Sequence, residues 1–457
     1  MSLFKAYDIR GIFGEELSEE LARDIGRAYG TNIVTKGTVA VGRDMRESGE
    51  VLRDALIEGL TSTGLDVVDI GMVPTPVLYF SIFHLELEGG IIITASHNPP
   101  EYNGFKLCAG TSTLYGEQIQ ELKKAIEKGE FKKGKGKVVE KNIEEAYLDA
   151  ITKGVSIKKQ LKIVLDSANG TMGSLAEMLF TKLGCEVTLL FGEPDGSLPN
   201  HPADPTVDAN LTDLITEVKK QKADIGIAFD GDGDRAGFVD DKGGIIRGDQ
   251  ALILFSRKIL KEKPGSPIIF EVKCSQALYE DIKANGGEPV MYRTGHSYIK
   301  KKIKEINAPL AGEMSGHFFF ADRYFGFDDG LYAAARMAEI LSEKEEPLSE
   351  LIKSLPKYEN TPELKVSVPE EKKFGIVEKV TSDFKKRFGD KVITVDGMRL
   401  QLEDGWGLVR ASNTTPVLVL RFEGRTQEKL AEIKKLILDE LWKFEELADG
   451  LCELEKN

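Results

Sequence analysis

With 457 residues, 41% hydrophobic and 30% charged, the chain is too long for a single core, and its length suggests about three or four domains of an ordinary globular protein. No segment approaches the ~18 uninterrupted apolar residues of a membrane span. A net charge of −14 argues against nucleic acid, whose binding needs Lys and Arg to displace counterions, while a small anion remains compatible wherever basic groups are concentrated locally.

The chain opens MSLFKAYDIRG, without the basic leader or long apolar run of a secretory signal, so a cytoplasmic location is expected. Three stretches then share one order. The first is TVAVGRDMR, the helical pattern RDALIEGLTST, Gly64-Leu-Asp-Val67 and VVDIG. The second is LKIVLDSANG, SLAEMLFTKL, Gly184-Cys-Glu-Val187 and VTLLF. The third is PIIFEVKCS, QALYEDIKAN, Gly287-Glu-Pro-Val290 and VMY. Each reads strand, helix, Gly-x-x-Val, strand, which suggests internal triplication; generic α/β punctuation is the competing reading. Continuous Val- and Ile-rich runs alternating with amphipathic helices predict mixed α/β layers with strands buried on both faces. The glycine is expected to end each helix as its C-cap.

After Pro356 the pattern breaks. KYENTPELKVSVPEEKKF is polar and carries two prolines, and in KVITVDGMRLQLEDGWGLVRASNTTPVLVLRFEG the Asp-Gly and Asp-Gly-Trp-Gly segments separate alternating strand-like runs. That is hairpin chemistry, followed by an amphipathic helix from Gln427, and it predicts a small α+β domain closing the chain. Cys108, Cys185, Cys274 and Cys452 are scattered singly and read as free buried thiols.

In open α/β sheets ligands gather beyond the carboxyl ends of strands, so residues that follow the apolar runs are the first candidates. Gly90-Ile-Ile-Ile93 runs into TASHNPPEYNGFK, Asp224-Ile-Gly-Ile-Ala-Phe229 into DGDGDR, and the segment before Gly312 into GEMSGH. For Asp230-Gly-Asp-Gly-Asp-Arg235 a dinucleotide fingerprint fails on charge, because three carboxylates would repel a pyrophosphate. An EF-hand loop fails because Arg235 and Asp241 would occupy its sixth and twelfth positions. Alternate aspartates in a Gly-containing turn instead predict an oxygen-donor site favouring Mg²⁺ over zinc, with Arg235 placed to hold phosphate oxygens; the alternative is a solvated acidic turn.

Ser96 has no Gly-x-Ser-x-Gly elbow, and His97 as its immediate neighbour is poorly placed for a serine-hydrolase base. If the strand ends converge, a phosphoryl group on Ser96 would supply an oxygen to the metal, which would make the serine a phosphate carrier with Lys106 as a cation or proton shuttle. On its own, Ser96 reads more readily as a strand-end cap. Gly129-Glu-Phe-Lys-Lys-Gly-Lys135 nearly has phosphate-loop spacing, but Gly136 stands where Ser or Thr is required, and the segment reads as a solvated charge run.

TASHNP, DGDGDR, GEMSGH and Arg410-Ala-Ser-Asn-Thr-Thr-Pro416, in this order and with YDIRG near the start, resemble the α-D-phosphohexomutase superfamily, specifically its phosphomannomutase/phosphoglucomutase group. The resemblance implies three related α/β domains with mixed sheets around a central cleft plus a C-terminal α+β domain. The expected boundaries are 1–152 with the phosphoserine loop, 153–247 with the metal loop, 248–357 with the sugar-recognition loop and 358–457 with the phosphate-binding loop. It implies that Ser96 is phosphorylated in the active enzyme and, with Asp230, Asp232 and Asp234, holds one Mg²⁺, with Arg235 beside them. Glu313 and Ser315 would grip sugar hydroxyls, and His317 would lie beside the reacting centre. Arg410, Ser412, Asn413 and Thr414 would bind the distal phosphate. Arg10, Lys106, Lys273 and His296 match further active-site positions, and Lys106 and His317 are alternative general bases.

The implied reaction is reversible intramolecular phosphoryl transfer between positions 1 and 6 of mannose or glucose phosphates, through a 1,6-bisphosphate, with glucose or mannose 1,6-bisphosphate as activator. Met314 and Asn413 put phosphoglucosamine mutase second. A metal-dependent phosphatase and a non-catalytic sugar-phosphate sensor are the other readings. The implied partners are small-molecule hexose phosphates, with neither nucleic acid nor membrane, and the oligomeric state is open between monomer and dimer.

Overall fold

The continuous apolar runs are strands of mixed sheets, central and buried except where Glu186–Leu190 and Glu288–Tyr292 lie half-buried at an edge. The computed structural model describes residues 3–412 and 415–456, and the chain divides into two units: Met1–Ile259 with Gly295–Ser354, and Leu260–Thr294 with Leu355–Asn457.

In the first unit, strands β1 (Ile9–Ile12), β2 (Thr38–Arg43), β3 (Asp66–Met72), β4 (Gly89–Ile93), β5 (Tyr102–Ala109), β6 (Ser112–Thr113) and β7 (Val138–Glu140) form one sheet in the order β1-β5-β4-β2-β3-β7, with β6 against β5. The inner strand β2 runs parallel to β3 and β4, whereas β5 is antiparallel to β4 and β1. All five residues of β4 are buried because each face of the strand is covered. Val39, Val41, Ile91 and Ile93 pack with Ile25, Leu52, Leu56 and Ile119 from helices on one face. On the other, Gly90 lies against Leu78 and Ile82 of helix Thr75–His84.

A second mixed sheet follows, built from β8 (Lys162–Asp166), β9 (Glu186–Leu190), β10 (Ile225–Phe229), β11 (Ala236–Asp240) and β12 (Ile245–Ile246) in the order β12-β11-β10-β8-β9. Strand β8 is parallel to β9 and β10, and β10 turns back antiparallel into β11, so DGDGDR is the tip of a hairpin. The antiparallel pair Leu310–Gly312 and Phe318–Phe320 makes a second hairpin whose tip is the GEMSGH segment.

The second unit holds the parallel pair Pro267–Glu271 and Glu288–Tyr292, and an antiparallel sheet in which Val417–Gly424 lies between Gly405–Ala411 and Leu364–Ser367. Helices Lys373–Phe388 and Gln427–Leu441 contribute Ile376, Val380, Ile433 and Ile437 to its core. Asp396-Gly397 and Asp404-Gly405 fall between antiparallel strands, as the turn chemistry predicts.

The threefold strand–helix–strand order is present. Its parallel pairs set Val39 opposite Val67, Ile163 opposite Val187 and Ile269 opposite Val290. In the first two copies Gly64 and Gly184 end the helix with φ of 92° and 83°. The third differs by one residue: Gly286 takes the left-handed turn at 75°. Gly287 instead allows close packing, since a Cβ there would stand 2.7 Å from the Leu260 methyls and force them to shift. Cys108, Cys185 and Cys274 are buried thiols, but Cys452 is exposed on the terminal helix, whose Leu451 faces the core instead. Among the described residues no helix is long and apolar enough to cross a membrane.

Candidate active site

Where β4 ends, the chain reverses sharply. Thr94 Oγ1 accepts the Ser96 N–H at 2.9 Å, the Asn98 N–H bonds back to the Ala95 carbonyl, and Ser96 adopts a left-handed φ of 50°. A serine held there carries local strain that surrounding contacts must offset. The buried Ser96 Oγ donates to Asp230 Oδ2 at 2.7 Å and lies 3.0 Å from His97 Nδ1. The adjacent histidine therefore does reach the hydroxyl, and burial keeps it neutral by pushing its pKa well down. Arg10 supports the same turn, donating to Asn98 Oδ1 at 2.6 Å and to Asp8 at 2.7 Å.

The approach of the aspartate loop to this turn requires Gly231, because a Cβ there would stand 2.6 Å from the Ser96 carbonyl oxygen. Gly231→Ala is expected to lower stability by about 1–3 kcal/mol through overpacking, measured by urea unfolding.

Asp230, Asp232 and Asp234 are fully buried, and one carboxylate oxygen of each lies within 4.8 Å of the others. Lys106, on β5, reaches Asp232 Oδ2 at 2.6 Å and Asp234 Oδ2 at 2.5 Å. Thr75 Oγ1 donates to Asp232 Oδ2 at 2.6 Å. The Arg235 N–H donates to Asp230 Oδ1 at 3.1 Å, and its Nε stands 3.6 Å from Asp230 Oδ2. An antiparallel backbone bridge between Arg235 and His317 ties the two hairpin tips together. His317 Nε2 is then 3.2 Å from Asp234 Oδ1, while its Nδ1 lies 2.9 Å from Ser315 Oγ and 3.1 Å from Glu313 Oε2. Glu313 Oε1 accepts the Gly295 N–H at 2.7 Å. His296 follows that glycine, stacks on His317 at 5.9 Å and has Nδ1 3.6 Å from Asp328 Oδ2.

Burial dominates the electrostatics. With Asp234 and Asp232 it pushes Asp230 well above the ordinary carboxylate range. It would raise Asp234 too, but Lys106, His317 and Arg235 hold that group well below. Burial would likewise lower His317, but Asp234 and Glu313 together outweigh it, raising the imidazole to about 10. The stability this contributes is present below the unfolded imidazole value and is lost as pH rises through about 10. Among the described residues Asp232 Oδ1 is buried with no hydrogen-bond partner, an expensive arrangement that a hard divalent cation bound by the three carboxylates would relieve. The donor set fits such an ion.

The second unit gathers the other candidates. Lys273 Nζ lies 2.9 Å from Glu363 and 3.5 Å from Glu271. Arg410, on Gly405–Ala411, bonds Asp396 Oδ2 at 3.0 Å, and Ser412 Oγ lies 2.9 Å from Thr415 Oγ1. The Thr294 N–H also donates to Asp396 Oδ2, at 3.1 Å. Asn413 and Thr414 lie outside the described residues.

Ser96, Lys106, the aspartates, Arg235, His317, Arg10, Glu313, Ser315 and His296 thus fall together in the first unit, and Lys273, Arg410 and Ser412 in the second. Sequence reasoning missed Asp44 and Arg46, which bond each other and the Ser96 turn, and the pair Lys300–Asp328 at 2.8 Å beside His296. Asp44 and Arg46 follow a strand end, the signal that located the other loops. Nothing local marks Asp328.

The sequence matches phosphoglucomutase/phosphomannomutase alpha/beta/alpha domain I over residues 1–133, domain II over 145–244, domain III over 247–358 and the C-terminal domain over 363–440. It is 49% identical over 442 residues to a phosphomannomutase/phosphoglucomutase of Pseudomonas aeruginosa, covering 96% of this chain and 95% of that protein. It is 47% identical over 437 residues to a phosphoglucomutase of Neisseria gonorrhoeae, covering 94% and 95%. Among solved structures, a phosphoglucomutase/phosphomannomutase family protein of Burkholderia thailandensis superposes with a TM-score of 0.91 at 45% identity, covering 96% of each chain.

Proposed function

Because the chain belongs to the phosphoglucomutase/phosphomannomutase family, we propose that it interconverts the 1- and 6-phosphates of mannose and glucose, with Ser96 as the phosphoryl carrier. The observation that carries this reading is a buried serine hydroxyl, in a strained left-handed turn, 2.7 Å from one carboxylate of a buried aspartate triad. Phosphoserine 96 gives its phosphoryl group to the open hydroxyl of the bound sugar phosphate, forming a 1,6-bisphosphate as the O–P bond to the serine breaks, while the hydroxyl gives up its proton and the freed Ser96 Oγ takes one up. The sugar then turns, and its other phosphate returns to Ser96.

Phosphoryl transfer of this kind depends on positioning and charge compensation more than on covalent chemistry. Asp230, Asp232 and Asp234, with the phosphoserine, would hold one Mg²⁺, which would withdraw charge from the transferring group. Arg235 is placed to meet phosphoryl oxygens, and Lys106 and His317 are the proton-bearing groups beside Asp234. Arg10 braces the serine turn. Glu313, Ser315 and His296 would contact the sugar; Lys273, Arg410, Ser412, Asn413 and Thr414 would hold the phosphate that is not reacting. The four-part division at 152, 247 and 357, a cytoplasmic setting and activation by glucose or mannose 1,6-bisphosphate belong to the same reading.

The test is direct. Mannose 1-phosphate or glucose 1-phosphate, with catalytic glucose 1,6-bisphosphate and Mg²⁺, should be converted with labelled phosphate staying on the sugar. Release of that label as inorganic phosphate would make the protein a phosphatase, and no conversion of either sugar would leave only a binding role. Arg410 offers a bidentate fork, so remote binding energy is directed into orientation. Arg410→Ala is expected to raise KM by about tenfold or more while the rate of Ser96 phosphorylation by bisphosphate falls much less. Equal loss of both would contradict the assigned role.

A further inference from the structure

The Ser96 turn is held only in part by its own backbone, through the Asn98 N–H on the Ala95 carbonyl and the Tyr102 N–H on the Pro99 carbonyl. Pro99 and Pro100 remove two N–H groups from TASHNPPEY, so the loop has few donors with which to satisfy its own carbonyls. One side chain supplies them. Arg46 Nη2 donates to the carbonyls of Ser96 at 2.9 Å and Asn98 at 2.5 Å, and Nη1 donates to those of Pro99 at 2.5 Å and Tyr102 at 2.9 Å. Its Nε donates to Asp44 Oδ2 at 3.2 Å, and Asp44 Oδ1 accepts the Arg46 N–H at 3.0 Å. All five guanidinium donors are therefore used, four of them on one turn, by a side chain that is 1% exposed.

We propose that Arg46, anchored by Asp44, is a positioning residue that fixes the turn carrying Ser96, setting the direction of its Oγ without touching substrate. This rests on Ser96 being the phosphoryl carrier. Three features make the assignment more than a packing role. First, the first carbonyl held is that of Ser96 itself, whose φ of 50° needs outside contacts to persist. Second, because a trans peptide points its C=O and N–H in opposite directions, holding the Ser96 carbonyl on Arg46 turns the His97 N–H to the other side. Third, only a planar fork reaches four carbonyls; a lysine ammonium in its place keeps the charge and loses the geometry.

The experiment compares the full-length protein with Arg46→Lys and Arg46→Met, at a temperature well below the melting point of each. Arg46→Lys is expected to stay folded, with kcat down about 100-fold and KM within about threefold, since a small misplacement of a reacting group costs that much. Phosphorylation of Ser96 by glucose 1,6-bisphosphate, followed by intact mass in single turnover, should slow by the same factor. Hydrogen exchange at the amides of 97, 98, 102 and 103 should rise in both variants. If Arg46→Met fails to fold, Arg46→Lys still decides the matter. The inference falls if Arg46→Lys phosphorylates Ser96 at the unaltered rate, or if its activity loss only tracks the fraction unfolded. If the unaltered protein gains no phosphoryl group at Ser96, the carrier reading falls and takes this inference with it.

Discussion

Ser96→Ala is expected to reduce mutase turnover by at least ~10⁴-fold, about 5.4 kcal/mol of lost transition-state stabilisation, while the protein stays folded. The size follows from what is removed. The Oγ is the atom to which the phosphoryl group would be attached, and no nearby hydroxyl can replace it. Thr94 Oγ1 is occupied by the Ser96 N–H, and Thr75 Oγ1 by Asp232. The stability cost should be small, about 1–2 kcal/mol, because Asp230 loses one donor but keeps the Arg235 N–H at 3.1 Å. Alanine is no worse than serine at the left-handed φ. A coupled assay in both directions, with melting curves for both proteins, measures the two quantities. Residual turnover above about 1% of the unaltered rate would place the carrier elsewhere, since loss of a covalent nucleophile leaves only binding and positioning.

What could be read in advance follows from how local each signal is. The three strand–helix–strand copies were legible because a buried parallel strand, an amphipathic helix and a left-handed glycine each leave a pattern within a few residues. The one slip, from Gly287 to Gly286, arose where two glycines stand together and only packing against Leu260 assigns their roles. The aspartate loop was legible because three carboxylates in five residues are hard to explain without a cation. Arg46 was not, although it lies in a motif already read as a strand end. Its partners are 50 to 56 positions further along, and no periodicity connects them. The same holds for Asp328, which meets His296 and Lys300 of one helix only through tertiary packing. Sequence adjacency alone makes His97 a poor base for Ser96, but the left-handed turn at Ser96 swings its Nδ1 to 3.0 Å from the hydroxyl.

Lys106→Met should have the second large effect, and it separates the electrostatic role of this lysine from its volume. Asp232 and Asp234 are fully buried, and Lys106 Nζ bonds both. Removing one partner of a buried charge cluster strands the others, so the variant is expected to lose about 3–5 kcal/mol in urea unfolding with EDTA present. Methionine fills the space of the lysine stem, so little of that loss is cavity. Mg²⁺ should then stabilise the variant more than the unaltered protein, because Lys106 no longer competes for the same two oxygens. The gap closes by the difference between the two Mg²⁺ stabilisations, so an affinity tenfold higher in the variant narrows it by about 1.4 kcal/mol at saturating ion. Acid should narrow it too. Asp234 is held well below the ordinary aspartate value of 3.8, so its contribution is present above that value and is lost as pH falls through the native one. The variant has lost the chief source of that depression and has correspondingly little left for acid to remove. A stability gap indifferent to both Mg²⁺ and acid would mean that Lys106 is held by packing alone and that the aspartate triad is not the cation site.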